Sequence, residues 1–206
     1  ENRVAATAKE SLIDGLPKTI EIDLDSDEMG MGIPCGGYMS VIVEPQMLNK
    51  TLLIRGMGGL TEILCKMASL LKFKVIVQTP EDEKDRYPDA EKIITDSLEI
   101  EDIDFPVDFF ILATHHRNDD RISLEAIKKG IPYVGVVASA KKTGIILEYL
   151  RKNGATEEEL GCFFSPTGLE LNAKTPEHIA LSILSEMVML TNGGSGKQKK
   201  IKSTTD

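Results

Sequence analysis

The segment TLLIRGMGGLTEILCKMASLLKFKVIVQ, residues 51–78, decides the fold of this chain. Its first residues, Thr51-Leu-Leu-Ile54, form a continuous apolar run typical of a strand buried on both faces. A glycine-rich turn, Gly56-Met-Gly-Gly59, comes next, followed by a stretch with helical spacing of apolar residues and a second apolar run, Lys74-Val-Ile-Val77. Strand, glycine turn, helix and strand within about 30 residues predict a Rossmann-type unit.

The residues after this segment continue the alternation of strand and helix. Further strands are predicted at residues 93–95, 108–113 and 133–138, and helices at 121–129, at 141–153 and from Thr175 onward. The helix that follows the glycine turn is predicted to bury one stripe of residues, formed by Leu60, Ile63, Leu64, Met67 and Leu71. We therefore predict an α/β fold, a Rossmann-like parallel sheet with helices on both faces, whose first and fourth strands lie side by side.

A different pattern precedes residue 49. The chain starts with an amphipathic helix, and Thr19 to Asp25 then alternates strictly between apolar and acidic residues, as in a half-exposed strand of an antiparallel sheet. Residues 1–48 are accordingly predicted to be a partial α+β unit with antiparallel strands, and residues 49–191 the Rossmann-like domain. The lysine-, serine- and glycine-rich residues 192–206 are predicted to be a disordered tail.

Composition excludes several classes of function. The 206 residues carry a net charge of −9, which argues against binding to nucleic acid or to an anionic membrane surface. No apolar run approaches the roughly 18 to 20 residues that span a bilayer, and no signal peptide is visible. The three cysteines show no Cys-x-x-Cys spacing, so the expected location is the reducing cytoplasm.

The predicted strand order brings two loops to one crevice, at the carboxyl ends of the first and fourth strands. One loop is the glycine turn: Gly56 permits a tight turn, Gly58 lets the backbone approach a ligand, and Gly59 begins a helix whose N-terminus attracts an anion. Thr61 stands at the third glycine position of the dinucleotide fingerprint, and Gln78 stands where an acid usually binds a ribose. The turn is therefore predicted to bind a phosphate or a cofactor rather than to hold NAD tightly.

The second loop carries two histidines, and the crevice has further candidates. His115 is predicted to contact the ligand, whereas adjacent His115 and His116 rarely point the same way and so do not favour a metal site. Asp119 and Asp120 are interpreted as caps of the following helix. Ser139 and the segment Ser165-Pro-Thr-Gly168 are predicted to line the crevice as well.

Cys35-Gly36-Gly37 is the third candidate group. A cysteine between a proline and two glycines suits a turn near the surface, where a thiol with a lowered pKa could be a metal ligand or carry a persulfide; a purely structural turn is the alternative. Cys65 and Cys162 are expected to be structural. No Ser-His-Asp triad or pair of carboxylates follows from the spacing, so the residues favour a binding site over a catalytic one.

Taken together, these motifs resemble the XdhC/CoxI family of xanthine dehydrogenase accessory proteins over about residues 1–190. The resemblance rests on Cys35-Gly36-Gly37, Val41-Ile-Val-Glu44-Pro45, Gly56-Met-Gly-Gly59, Thr95-Asp96, Thr114-His115, Asp120, Ser165-Pro-Thr-Gly-Leu169 and Thr175-Pro-Glu-His-Ile-Ala-Leu-Ser-Ile-Leu-Ser-Glu186. The sequence departs from the family pattern at Gln78 and His178, where acids are usual. The resemblance also implies that residues 1–48 are the remnant of the family's first domain.

The resemblance implies a cofactor chaperone rather than an enzyme. Such proteins bind the molybdenum cofactor, a molybdopterin, assist its sulfuration with a cysteine desulfurase, and deliver it to an apo molybdenum hydroxylase. The implied cofactor site comprises Cys35, Gly36, Gly37, Gly56, Gly58, Gly59, His115 and Ser139. An NAD(P)-binding oxidoreductase and a scaffold without a ligand are the alternatives, and a homodimer is plausible because the partial first unit has exposed strand edges.

Overall fold

A computed structural model describes residues 2–23, 37–45, 49–114 and 118–199. The chain divides into two compact units, residues 1–48 and residues 49–206. In the first unit, helix α1 (Asn2–Asp14) precedes two antiparallel strands, β1 (Lys18–Asp23) and β2 (Tyr38–Val43). Ile20 and Ile22 of β1 are buried, so the predicted alternation and the antiparallel pairing are confirmed.

The second unit is a six-stranded parallel sheet with four α-helices. Its elements are β3 (Thr51–Gly56), α2 (Gly58–Leu70), β4 (Lys74–Gln78), a 3-10 turn (Glu81–Arg86), β5 (Lys92–Ile94), β6 (Phe109–Ala113), α3 (Asp119–Lys128), β7 (Val134–Val136), α4 (Ala140–Lys152), a second 3-10 turn (Glu159–Cys162), β8 (Phe163–Phe164) and α5 (Pro176–Thr191). The strand order is β5-β4-β3-β6-β7-β8. The Rossmann-like fold is thus confirmed, and its first and fourth strands, β3 and β6, are neighbours. The short edge strand β8 was not predicted.

The core lies in two layers, one on each face of the sheet. On one face, Leu52 and Ile54 of β3 pack in a cluster with residues of α2 and α5. On the other face, Leu53 packs in a cluster with Ile122 of α3 and Ile146 of α4. Because successive side chains of a strand point to opposite faces, the unbroken apolar run of β3 serves both layers.

The buried face of α2 differs from the predicted stripe. Its fully buried residues are Thr61, Leu64, Cys65 and Ala68, whereas Leu60, Ile63 and Met67 are only half-buried and Leu71 lies beyond the helix end, exposed. Three of the four buried residues are small, which lets the helix axis approach the sheet closely. The larger apolar side chains then flank the contact rather than fill it.

The start of α5 follows the prediction. Thr175 is the N-cap, its hydroxyl accepts a hydrogen bond from the His178 N–H at 3.3 Å, and Pro176 is the first helical residue. After α5, the Gly194 N–H donates to the Met189 carbonyl at 2.8 Å, and residues 200–206 lie outside the described ranges. None of the helices in the described part of the chain is long and apolar enough to cross a membrane.

Candidate functional site

The glycine turn lies between β3 and α2, at the carboxyl end of the sheet where β3 and β6 meet. A Cβ atom on Gly56 would come within 2.4 Å of Thr61 Oγ1 and 2.7 Å of the Ala113 carbonyl oxygen, so glycine is needed there for the close contact with β6. Gly58 has a φ of 76°, which favours glycine, and it has open space around its Cα. Gly59 also has open space but an ordinary backbone conformation.

The N-terminus of α2 already interacts with an anionic group of the protein itself. The Gly58 N–H donates a hydrogen bond to Glu83 Oε2 at 3.1 Å. Glu83 lies on the 3-10 turn after β4 and also pairs with Arg86 at 3.2 Å. A side-chain carboxylate of the chain itself thus accepts from the N-terminus of α2, and binding of a ligand phosphate there stays a prediction.

Gln78 ends β4 beside the turn, and its side chain is almost completely buried. Its Nε2 donates to the Ser97 carbonyl oxygen at 2.9 Å, which fixes the orientation of the amide. Its Oε1 has no hydrogen-bond partner among the described residues. A buried acceptor without a partner is unfavourable, so it marks a place where a ligand could supply a donor.

Arg55 is the register partner of Gln78 on the adjacent strand β3. Its guanidinium donates to the Leu98 carbonyl oxygen, and partial burial lowers its pKa from the ordinary value. Arg55 and Gln78 both line a cavity of about 130 Å³ beneath the glycine turn. The other lining residues are Gly56, Met57, Pro80, Leu98, Thr114 and Ile122.

A buried ion pair closes the carboxyl end of β6. Asp119 is 3% exposed and its carboxylate accepts hydrogen bonds from the Thr114 hydroxyl and from the Lys142 ammonium. Asp119 is the first residue of α3, and the N-cap position is held by Asn118 at a φ of 84°, with no side-chain cap. The predicted capping role of Asp119 is therefore wrong, because its side chain points inward to join α3 to α4. Asp120 likewise lies inside the first helical turn, where its Oδ1 accepts from the next N–H, that of Arg121.

Ser139 and the loop after β8 are held by contacts within the fold. Ser139 is the N-cap of α4 and accepts from the Lys142 N–H at 3.3 Å. Glu186 of α5 accepts from the Gly168 N–H at 3.0 Å and from the Tyr133 hydroxyl, whose pKa is raised by burial. Through the contact between Glu186 and Gly168, α5 holds the loop that follows β8.

Four predicted site residues remain, and three of them lie outside the described ranges. Cys35, Gly36 and His115 lie outside the described residues, and Gly37, in the first unit, has a φ of 151° that favours glycine. Burial raises the pKa of the Cys65 thiol to about 12 and also raises that of Cys162, which agrees with the expectation that both are structural. Within the described ranges, no three His, Cys, Asp or Glu side chains are grouped so as to hold a metal ion.

Sequence reasoning missed three contributors to this site. Arg55 carries a local signal, since it is the single charged residue in an otherwise apolar buried strand. The pair of Asp119 and Lys142 has none, because 23 positions separate its members. Glu83 belongs to the charged run at residues 81–86, which has the sequence of an ordinary solvated surface segment. Its contact with Gly58 is visible only in the folded structure.

Comparison with known proteins identifies the family of this chain. The family model described as the XdhC Rossmann domain matches residues 52–187. An uncharacterized Escherichia coli K12 protein, YqeB, is 29% identical over 81% of this chain and 32% of its own length. A Bacillus subtilis protein named as a probable xanthine dehydrogenase subunit is 29% identical over 50% of this chain and 30% of its own. The chain thus spans about a third of the length of these relatives.

A solved structure shares the fold. A protein from Bacillus halodurans described as a xanthine dehydrogenase superposes with a TM-score of 0.61 at 22% identity. The match covers 98% of this chain and 82% of the other. At this identity the likeness concerns the architecture alone.

Proposed function

This chain belongs to the XdhC Rossmann-domain family, and we propose that it binds the molybdenum cofactor, helps its sulfuration and inserts it into a molybdenum hydroxylase. The client is proposed to be an enzyme of the xanthine dehydrogenase or carbon monoxide dehydrogenase type. The matched Bacillus subtilis relative, whose name is that of a probable xanthine dehydrogenase component, supports this choice of client. A cysteine desulfurase is the proposed second partner, as the source of sulfur.

One observation carries the proposal: the Gly58 N–H at the N-terminus of α2 donates to a carboxylate of the chain itself at 3.1 Å, which supports a role of this turn in binding an anionic group. The cofactor is a pterin that bears a phosphate and holds molybdenum through sulfur. Its phosphate suits the donor of Gly58, and its ring suits a cavity with one orphaned acceptor, Gln78 Oε1. The residues present therefore fit the group.

Each residue has a defined role in this proposal. The Gly58 N–H donates to the phosphate in place of Glu83, and Gly56 allows the close contact between β3 and β6 that gives the turn its shape. His115 and Cys35 stay predictions, as a ligand contact and as a thiol for the metal or for a persulfide. When bound, the cofactor supplies the metal centre that the client enzyme uses, and the chain's own residues bind it, orient it and shield it.

The described residues favour transport over catalysis. The buried carboxylate of Asp119 is engaged by Lys142 and Thr114, and the described cysteines have raised pKa values. These groups stabilise the fold rather than attack a substrate. The proposed role is therefore that of a chaperone for a reactive cofactor.

Transfer is the test of this role. The full chain, loaded with cofactor under anaerobic conditions, is mixed with an apo molybdenum hydroxylase, and the recovery of hydroxylase activity is followed over time. We expect faster recovery than with the same concentration of free cofactor. Equal rates with and without the chain would contradict the delivery role.

A Rossmann-type NAD(P)-binding oxidoreductase is the second candidate. The strand order and the Gly56-x-Gly58 turn favour it, because both are shared with dinucleotide-binding domains. Gln78 counts against it, since the position lacks the carboxylate that usually binds a ribose. Titration with NADH and NADPH, followed by quenching or enhancement of nicotinamide fluorescence, decides between them: binding in the micromolar range would favour the oxidoreductase.

A further inference from the structure

We propose that the cavity lined by Arg55 and Gln78 recognises the cyclic amide edge of a flat heterocycle, taking its ring N–H on Gln78 Oε1 and its carbonyl oxygen on Arg55. This inference deepens the proposed function and rests on it for the identity of the ring, a pterin. An oxopurine has the same edge and is the second possible source of this chemistry.

The first argument is the unused acceptor. Gln78 is 1% exposed, its Nε2 is committed to the Ser97 carbonyl oxygen, and its Oε1 has no partner among the described residues. An orphaned buried acceptor costs stability, so it is expected to be matched when the site is filled. The missing partner must be a donor, such as a ring N–H.

The second argument is the position of the cation. Arg55 and Gln78 are register partners on parallel strands, so their side chains leave the same face of the sheet about 4.8 Å apart. A guanidinium has five N–H donors, and Arg55 uses Nη1 to donate to the Leu98 carbonyl oxygen. The pair thus presents donors beside an acceptor, which complements an edge with a carbonyl beside an N–H.

The third argument is the shape of the cavity. Its volume of about 130 Å³ suits one small ring system. Pro80, Leu98 and Ile122 supply apolar walls, which suit the faces of a planar ring better than a hydrated sugar. The glycine turn lies above the cavity, since Gly56 and Met57 line it too, so a ring bound here can carry its phosphate toward α2.

Binding of simple ring compounds to the full chain tests this inference. The probes are pterin itself, followed by its fluorescence, and guanosine or hypoxanthine, followed by calorimetry. A third probe, 2,4-diaminopteridine, replaces the carbonyl of pterin with an amino group and so presents a donor to Arg55. We expect the chain to bind pterin, and to bind 2,4-diaminopteridine at least tenfold more weakly.

Two variants of one residue separate recognition from folding. Gln78→Met removes the acceptor and should weaken pterin binding at least tenfold. Gln78→Glu in its protonated form keeps both a donor for the Ser97 carbonyl oxygen and an acceptor, so at mildly acidic pH it should stay within about threefold of the wild type. Arg55→Met should also weaken pterin binding at least tenfold. Thermal unfolding of each variant confirms that it is folded at the temperature of the titration.

The outcomes are distinct for the inference and for the proposed function. Tighter binding of the oxopurines than of pterin would keep the edge recognition and overturn the identity of the ring. Absence of ring binding by the wild type, or equal binding by Gln78→Met, would overturn the inference, and cofactor binding could still hold through the phosphate. Ring binding without retention of the whole cofactor would instead overturn the proposed function.

Discussion

Glu83 and Gly58 form a contact that gives the glycine turn its present occupant: Glu83 Oε2 accepts a hydrogen bond from the Gly58 N–H at 3.1 Å. The carboxylate therefore stands where a ligand phosphate is proposed to bind. A phosphate that enters must displace Glu83 and is repelled by its charge until it does. The contact makes Glu83 an internal competitor of the ligand.

Neutralising this competitor should tighten cofactor binding. Glu83→Gln removes the negative charge and leaves Arg86 paired with Glu62, and we expect the dissociation constant of the cofactor to fall about threefold to tenfold. Anaerobic equilibrium dialysis measures it. The matched control is Glu81→Gln, on the same turn but paired with Lys84, which should leave binding unchanged. Weaker binding by Glu83→Gln would show that Glu83 helps to hold the ligand.

The three glycines of the turn should respond differently to alanine. Gly56→Ala places a Cβ against Thr61 and the Ala113 carbonyl and should lower the free energy of unfolding by about 1–3 kcal/mol. Gly58→Ala must adopt a positive φ and should cost about 1–2 kcal/mol. Gly59→Ala, in open space within α2, should be neutral or stabilise by up to about 1 kcal/mol. Urea unfolding measures all three, and a Gly56→Ala protein as stable as Gly59→Ala would contradict the close contact with β6.

The ion pair between Asp119 and Lys142 should stabilise the fold. Among the described residues, Lys142→Met leaves the buried carboxylate of Asp119 with the Thr114 hydroxyl as its remaining side-chain partner, so we expect the free energy of unfolding to fall by about 1–3 kcal/mol. This loss of stability is smaller than that expected for a fully buried ion pair, because the Lys142 side chain is 36% exposed. Lys141→Met, at the exposed neighbouring position, is the control. Equal urea midpoints for the two variants would show that the ion pair between Asp119 and Lys142 does not stabilise the fold.

The thiols should differ sharply in reactivity. Burial holds the pKa of Cys65 at about 12 and raises that of Cys162, so both stay protonated and slow to react at pH 8. We expect one fast-reacting thiol per chain in a titration with a disulfide reagent, and expect Cys35→Ser to abolish that fast phase. Fast labelling of Cys65, identified by mass spectrometry of the peptides, would contradict its buried environment.

Much of the fold followed from the sequence because its signals are local. The apolar run of β3, the glycine turn and the N-cap at Thr175 each depend on neighbouring residues, and the structure has them as predicted. The prediction of which α2 residues are buried was wrong. The buried stripe is displaced by about one position along the sequence, because small residues such as Ala68 rather than large ones face the sheet. Sequence periodicity reports hydrophobicity and not the distance between packed elements.

The candidate site was less predictable because its contacts join distant residues. Gly58 meets Glu83 and Asp119 meets Lys142 only after the chain has folded, and Asp119 was accordingly mistaken for a cap. Gln78 was noticed as a departure from the dinucleotide pattern, yet its orphaned Oε1 is visible only in three dimensions. Arg55 is the one residue that its sequence position could have revealed, as a charge in a buried strand.

Direct binding of the molybdenum cofactor tests the central claim. The full chain is mixed anaerobically with the isolated cofactor and passed over a gel-filtration column, and the protein peak is assayed for molybdenum and, after oxidation, for pterin fluorescence. The account predicts that molybdenum and pterin elute with the chain in equimolar amounts, and that NADH does not displace them. Elution of both at the position of free cofactor, with the chain folded, would contradict it.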